Sequence, residues 1–347
     1  MALVKSTIDK TLLTANLFDG FWDRWIVHGV EREDIDTLRS SYLTKDRWMD
    51  GWRKRADQKF LEAEKLEQDN SFAEAEMKFR AAGLYYQLMQ WLIPERKTEK
   101  IGWLNVSLSA FEKADKLSPI KAKYVQLPIG EQNCFGRVRI PSQTKGVVII
   151  INPLDSTKEE LFTYELDFIS KGYIVVSFDG PGQGQTFTFE GLRGTTRRWE
   201  SFIDVLIDFT SNTFPNLPIN LFGTSSGAAW ALYGSCNPKV NKTVAVSPAF
   251  VGGGIKLPDY FVERSRFVLE EEKSLPSYEL LPFRNPVMLF HGKQDVMVSD
   301  SNIYHLYEQL PQGKCLVEYE EEGHCCNYKL AEIRQKAVEW FESDKEV

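Results

Sequence analysis

Residues 218–233 read PINLFGTSSGAAWALY, and the fold turns on how this stretch is parsed. An apolar run (Ile219, Leu221, Phe222) leads into Gly223-Thr224-Ser225-Ser226-Gly227, and a helix-forming run (Ala228, Ala229, Trp230, Ala231, Leu232) leaves it. The pattern is a buried strand, a sharp turn and a helix, and a Gly-x-Ser-x-Gly turn of this kind lifts one serine hydroxyl clear of a sheet. The frame singles out Ser225. Gly223 and Gly227 stand two residues either side of it, whereas Ser226 is flanked at that distance by Thr224 and Ala228. A strained turn between a strand and a helix that approach closely leaves no room for side chains at those two positions.

Outward from the turn, the chain beyond Pro119 alternates short apolar runs with amphipathic ones. KAKYVQLPI and NCFGRVRIP alternate like an antiparallel pair at a sheet edge, joined by Gly130-Glu131-Gln132. KGVVIIIN is continuously apolar, as in a strand covered on both faces. A helix (Lys158 to Ser170), the strand GYIVVSFD, a helix (Arg197 to Phe209) and the strand to Ser225 follow. After the helix from Ser226 come NKTVAVSP, PVMLFHG, a helix from Asp300, KCLVEYE and a terminal helix. This alternation predicts an α/β fold with a mostly parallel sheet and helices on both sides. Residues 249–285, with Gly252, Gly253 and Gly254 and then a charged helical segment from Glu263 to Lys273, read as an insertion over the carboxyl ends of the strands, where such folds place ligands.

Before Pro119 the grammar differs. From Thr11 to Leu117 apolar residues recur at spacings of three and four, which predicts helices. Phe18, Trp22 and Trp25 share one face, as do Phe60, Ala63 and Leu66. Ser71, with Glu74 three residues on, fits a capping box opening a helix striped by Ala75, Phe79, Ala82, Tyr86 and Met89 and stopped by Pro94. A further helix runs from Gly102 to Leu117. The expectation is therefore an all-helical domain over 1–118 and a catalytic domain over 119–347. Six of the nine tryptophans fall in the former, mostly as core, with one or two left for the wall of an apolar pocket.

Composition narrows the function classes. A formal net charge of -7 and a pI near 5.4 provide no basic field for nucleic acid or an anionic membrane surface. Cys134, Cys236, Cys315, Cys325 and Cys326 form neither a CxxC pair nor an even framework, so reduced thiols in a cytoplasmic protein are expected, with no metal site. The first residues lack a signal-peptide core, and no run reaches the ~20 apolar residues of a membrane span. In DGPGQG, glycines 180, 182 and 184 miss the dinucleotide spacing, so no cofactor is expected there.

A serine hydroxyl becomes a nucleophile when a histidine can take its proton and a carboxylate fixes that histidine's tautomer. Among four histidines, His28 lies in the helical region, His291 ends a strand as a packing or hydrogen-bonding group, and His305 sits mid-helix. His324, in the loop EEEGHCCNY after the last strand, is the base expected to face the serine. Asp295, in HGKQD after PVMLF, is the matching acid, whereas Asp300 reads as a helix N-cap. The order Ser225, Asp295, His324 is that of the α/β-hydrolase fold. Glu320, Glu321 and Glu322 read as a solvated run, and Cys325 and Cys326 as small packing residues. An oxyanion hole needs two N–H donors. One is expected from Ser226, and the other from Leu154 or, less favourably, Asp155, since Pro153 carries no N–H.

These motifs together resemble the FrsA-like α/β-hydrolases with an N-terminal helical lid, the group of the 2,6-dihydroxypseudooxynicotine hydrolases and the polyketide-shortening hydrolases. The residues that carry the resemblance are Leu154-Asp155-Ser156-Thr157-Lys158-Glu159-Glu160, Asp179-Gly180-Pro181-Gly182-Gln183-Gly184, the turn at Ser225, HGKQD and the late Gly-His, with FWDRWIVHGV and FRAAGLYY in the helical part. One departure is Asn152-Pro153, where relatives often carry paired glycines. The resemblance implies cleavage of a carbon–carbon bond beside a ketone in a polyketide-derived or aromatic substrate, and a homodimer. An esterase or thioesterase with the same residues, and a binding protein that kept the fold without the chemistry, are the other readings to separate.

Overall fold

A computed structural model describes residues 6–40, 43–250, 257–272 and 274–343. The Gly252–Gly254 stretch and Lys273 lie outside the described residues. The chain divides into two compact units: Met1–Lys121 with Pro258–Phe267, and Ala122–Leu257 with Val268–Val347.

The first unit is helical: α1 Thr7–Leu17, α2 Asp23–His28, α3 Arg32–Arg39, α4 Lys45–Gln68, α5 Phe72–Leu92 and α6 Thr98–Leu117. From Ala82 to the end of α5 every residue is buried, as in a helix hydrophobic all round. Ser107 of α6 donates its hydroxyl to the Gly83 carbonyl at 2.8 Å, and a methyl on Gly83 would stand 2.6 Å from the Phe111 ring. Trp22, Trp25, Trp48 and Trp52 are buried, with Trp22 stacked on Trp48 at 5.6 Å. Buried indoles need an acceptor. Trp22 finds the Ala15 carbonyl and Trp48 that of Leu88. Phe18, by contrast, is exposed, because α1 ends at Leu17 and a short 3-10 turn at Asp19–Phe21 re-aims the chain before Trp22.

Ser71 does not cap α5. Its N–H bonds the Leu66 carbonyl and closes α4, and with ψ at 61° the side chain makes no capping bond. Helix α10 (Asp259–Val268), from within the expected insertion, packs in the helical unit. Lys10 pairs with Glu263, and the Arg264 guanidinium lies 3.9 Å from the Trp91 ring centroid.

The second unit holds an eight-stranded sheet: β1 Ala122–Ile129, β2 Gln132–Arg139, β3 Gly146–Ile151, β4 Tyr173–Phe178, β5 Ile219–Thr224, β6 Val240–Val246, β7 Val287–Gly292 and β8 Cys315–Tyr319. Its order is β1-β2-β4-β3-β5-β6-β7-β8, with β1 and β2 antiparallel at one edge and parallel pairing from β4 to β8. Strands β3, β4, β5 and β7 are buried at every residue, as strands covered on both faces must be. Helices α7 (Phe162–Ser170), α8 (Thr196–Thr213), α9 (Ser226–Gly234) and α11 (Asp300–Gln309) lie in the connections between them, and α12 (Leu330–Glu342) follows β8. Helix α7 starts four residues later than Lys158, because Lys158 and its neighbours are held in turns by side-chain bonds described below. Among the described residues no helix is long and apolar enough to cross a membrane.

Candidate active site

Strand β5 delivers Ser225 into a turn with φ 54° and ψ −121°, a conformation uncommon for a residue with a Cβ. Three backbone bonds hold it there. The Ser225 N–H donates to the Val246 carbonyl, and the Ser225 carbonyl accepts from Ala229 and Ala249. Both glycines of the motif are required by contact. A Cβ on Gly223 would lie 2.3 Å from the Gly227 carbonyl oxygen, and one on Gly227 would lie 2.1 Å from the Ile151 oxygen.

Two loops bring the other groups to this serine. The loop after β7 and the loop after β8 are stitched together by N–H bonds from Lys293 to the Tyr319 carbonyl and from Gln294 to that of Glu322. Asp295 on the first and His324 on the second therefore face each other. His324 Nδ1 lies 2.8 Å from Asp295 Oδ2, and His324 Nε2 lies 2.8 Å from Ser225 Oγ. The other Asp295 oxygen accepts the N–H groups of Met297 and Val298 at 2.8 and 2.9 Å, which fixes the carboxylate plane. The structure thus joins Ser225, His324 and Asp295 in one hydrogen-bonded line.

Electrostatics follow from that line. Burial pushes the Asp295 carboxyl up, but the bond and charge of His324 and the two backbone N–H groups outweigh it and hold Asp295 below the ordinary carboxylate range. For His324, burial works against the imidazolium, while the Cys325 sulfur and the Asp295 carboxylate favour it and prevail, so its pKa stands well above 6.5.

The turn that presents His324 is itself unusual. Cys325 and Cys326 both adopt left-handed backbone, with φ of 69° and 48°. The Cys325 N–H donates to Ser247 Oγ at 3.1 Å. Ser247, fully buried at the end of β6, thereby anchors the histidine turn from a third strand. Cys326 is fully buried, as a small packing residue would be, while Cys325 also ties the turn to Ser247 through its N–H. Glu322 is also not part of a solvated run, since it is buried and accepts the Tyr328 N–H.

The remaining histidines lie elsewhere. His28 is buried in the helical unit, His305 is exposed on α11, and His291 bonds Asp300 through Nε2 at 2.8 Å. Asp300 does not cap α11. Ser299 does so by accepting the Asn302 N–H, which leaves Asp300 in the first turn to pair with His291 and Lys293.

The loop after β3 lies against the head of α9. Leu154 donates its N–H to Ser226 Oγ at 2.7 Å, whereas the Ser226 N–H is the first of its helix and has no intrahelical acceptor. Beneath the loop, Gln183 donates from one nitrogen to the carbonyls of Asn152 and Pro153 at 2.9 and 2.8 Å and accepts the Gly180 N–H. Gln183 and Ser247 are positioning residues that the sequence reading did not pick out. Gln183 had a signal in DGPGQG, and Ser247 had none beyond preceding Pro248.

Residues 142–270 match the family profile described as serine aminopeptidase, S33, a span that contains the Leu154 loop and Ser225. The 2,6-dihydropseudooxynicotine hydrolase of Paenarthrobacter nicotinovorans is 27% identical over 92% of this chain and 90% of its own. The 20-hydroxy-prefusarin hydrolase FUS2 of Gibberella moniliformis is 26% identical over 57% of this chain, which spans about half of that relative's length. Among solved structures, the 2,6-dihydroxy-pseudo-oxynicotine hydrolase superposes with a TM-score of 0.78 at 23% identity, covering 92% of this chain and 94% of its own. AbyA5 superposes at 0.63 with 15% identity, covering 83% and 89%. The chain is therefore a hydrolase of the α/β-hydrolase fold, here preceded by a helical unit of its own.

Proposed function

We propose that the chain is a serine hydrolase that cleaves a carbon–carbon bond next to a ketone in a polyketide-derived or aromatic substrate. The observation that carries the catalytic half of this reading is the line of two 2.8 Å contacts from Ser225 through His324 to Asp295. Ser225 Oγ attacks the carbonyl carbon while His324 Nε2 takes its proton, and Asp295 orients the ring and stabilises the imidazolium. Negative charge on the former carbonyl oxygen is met at the head of α9, where the Ser226 N–H has no intrahelical acceptor. Collapse breaks the bond to the neighbouring carbon, whose electron pair is delocalised into a second carbonyl, and His324 returns its proton to that fragment. Water, deprotonated by His324, then releases the acyl group as a carboxylic acid. The substrate half rests on the resemblance to hydrolases named for pseudooxynicotine and prefusarin compounds. Cytoplasmic location and a homodimer belong to this reading.

An ester or thioester passes through the same steps with an alkoxide or thiolate leaving group, because the leaving group is selected by the pocket and not by the catalytic line. The test is product analysis by mass spectrometry after incubation with an aryl 1,3-diketone and an aryl ester. Diketone cleavage that disappears in Ser225→Ala supports the proposal. Ester cleavage alone makes the chain a carboxylesterase, and turnover of neither by folded protein favours a binding role.

A further inference from the structure

The sequence assigns the second oxyanion donor to Leu154, yet that N–H is already spent on Ser226 Oγ. It cannot readily turn away. The Leu154 N–H and the Pro153 carbonyl belong to one planar peptide unit, so fixing one end fixes the other. The Pro153 oxygen accepts from Gln183 Nε2 at 2.8 Å, from the Ser156 N–H at 3.1 Å and from Ser156 Oγ at 3.0 Å. The preceding carbonyl, of Asn152, is tied to the same Gln183 nitrogen. Gln183 is itself 1% exposed, with its own oxygen engaged by the Gly180 N–H. Rotating the Leu154 N–H toward a substrate would break a set of partly buried bonds together, each costly to leave unmade.

The Ser226 hydroxyl has the complementary freedom. A hydroxyl carries one donor and two acceptor sites. Among the described residues this oxygen accepts from Leu154 and donates to nothing. Its proton is therefore unclaimed, on the residue whose N–H opens the helix beside the nucleophile.

We propose that Ser226 is a catalytic residue that supplies both oxyanion donors, its backbone N–H and its side-chain O–H, and that Leu154 acts behind it by polarising the hydroxyl. This rests on the reading of Ser225 as nucleophile. As Ser225 Oγ bonds to the carbonyl carbon, the carbonyl π pair moves onto oxygen, and that oxygen accepts the Ser226 O–H without proton transfer. On collapse the hydroxyl relaxes to its resting state, still accepting from Leu154. A hydroxyl polarised by an N–H donor is a stronger donor than an isolated one, the cooperative behaviour of hydrogen-bond chains.

The experiment compares Ser225→Ala, Ser226→Ala and Ser226→Thr with wild type on one aryl ester, together with the affinity of an aryl trifluoromethyl ketone, whose adduct carries the oxyanion. Active-site concentration is set by end-point fluorophosphonate labelling. Ser226→Ala is expected to lose about 10²–10³-fold in kcat with KM little changed, the loss typical of one oxyanion donor. It should weaken ketone binding by a similar factor, and Ser226→Thr, which keeps the hydroxyl, should recover most of both. Wild-type or faster turnover in Ser226→Ala would overturn the proposal, since the hydroxyl would then only plug the Leu154 N–H. Equal losses in the alanine and threonine variants would overturn it as well. Full turnover in Ser225→Ala would instead remove the nucleophile reading and the proposal with it.

Discussion

Two polar clusters follow the strands of the same sheet, and they are built on opposite principles. In the first, Lys158 sends its N–H and its Nζ to the two oxygens of Asp179 at 2.8 and 2.9 Å, and Asp179 also accepts the Gln185 N–H. Close by, the guanidinium groups of Arg137 and Arg139 each donate to one oxygen of Glu165 at 2.9 Å. These charges are almost wholly buried and closed on one another. In the second, Asp295 accepts three bonds, His324 is paired at both nitrogens, and the line ends in Ser225, whose hydroxyl among the described residues has only His324 to spend its proton on. Charge density alone does not mark chemistry. A closed network fixes geometry, and an open one, anchored at its acidic end, can move a proton.

Substitutions separate the two behaviours, beginning with the largest effect. Ser225→Ala should lower turnover about 10⁶-fold, and Asp295→Asn about 10⁴-fold, with thermal unfolding little changed. Steady-state rates on an aryl ester with parallel melting curves check this. If Asp295→Asn turned over near the wild-type rate, Asp295 would not be the acid. Asp179→Ala should do the reverse. It takes one of two paired carboxylates from the buried Lys158 ammonium, leaving Glu159 at 2.9 Å, and should cost up to about 3–5 kcal/mol in denaturant unfolding, the penalty for breaking a buried pair from one side. Wild-type stability in that variant would mean that the cluster is not closed.

Gln183→Leu sits between the clusters, since Gln183 follows Asp179 yet its bonds hold the Leu154 loop. It should reduce kcat by about tenfold or more with a smaller change in KM, as loss of positioning does. A rise in KM alone would place Gln183 in substrate binding instead.

The smallest effect expected is on pH dependence. The neutral imidazole is the form that accepts the Ser225 proton, so a His324 pKa raised above 6.5 puts the acid limb of kcat/KM above 6.5, with activity lost as pH falls through it. Cys325→Ala removes the sulfur that favours the imidazolium and should move that limb to lower pH. An unmoved limb would leave Asp295 as the sole counter-charge.

The parts of this arrangement that follow from local rules were legible in the chain. The glycine pair around Ser225 identified the turn because two steric contacts each exclude a side chain there. The strand-end positions of Asp295 and His324 followed from alternation, and the parallel sheet followed from KGVVIIIN and its counterparts. What escaped depends on contacts distant in sequence. Ser247 reaches the histidine turn across 78 residues, and Leu154 meets Ser226 across 72. Asp300 looked like a cap because it opens a helix, but Ser299 beside it has the extended backbone that a cap needs, which leaves Asp300 to His291 and Lys293. Glu322 looked solvated within a run of three glutamates, and tertiary burial of one member of such a run leaves no trace in composition.

The most direct test of the central claim is to locate the acyl group. Wild-type protein mixed with a slowly hydrolysed aryl ester is quenched in acid within the first turnover, digested and mapped by tandem mass spectrometry. The account predicts an acyl mass on the peptide spanning 218–233, fragmenting to Ser225, and its absence in Ser225→Ala. An acyl group on Ser226 or Cys325, or turnover with no covalent adduct at any quench time, would contradict it.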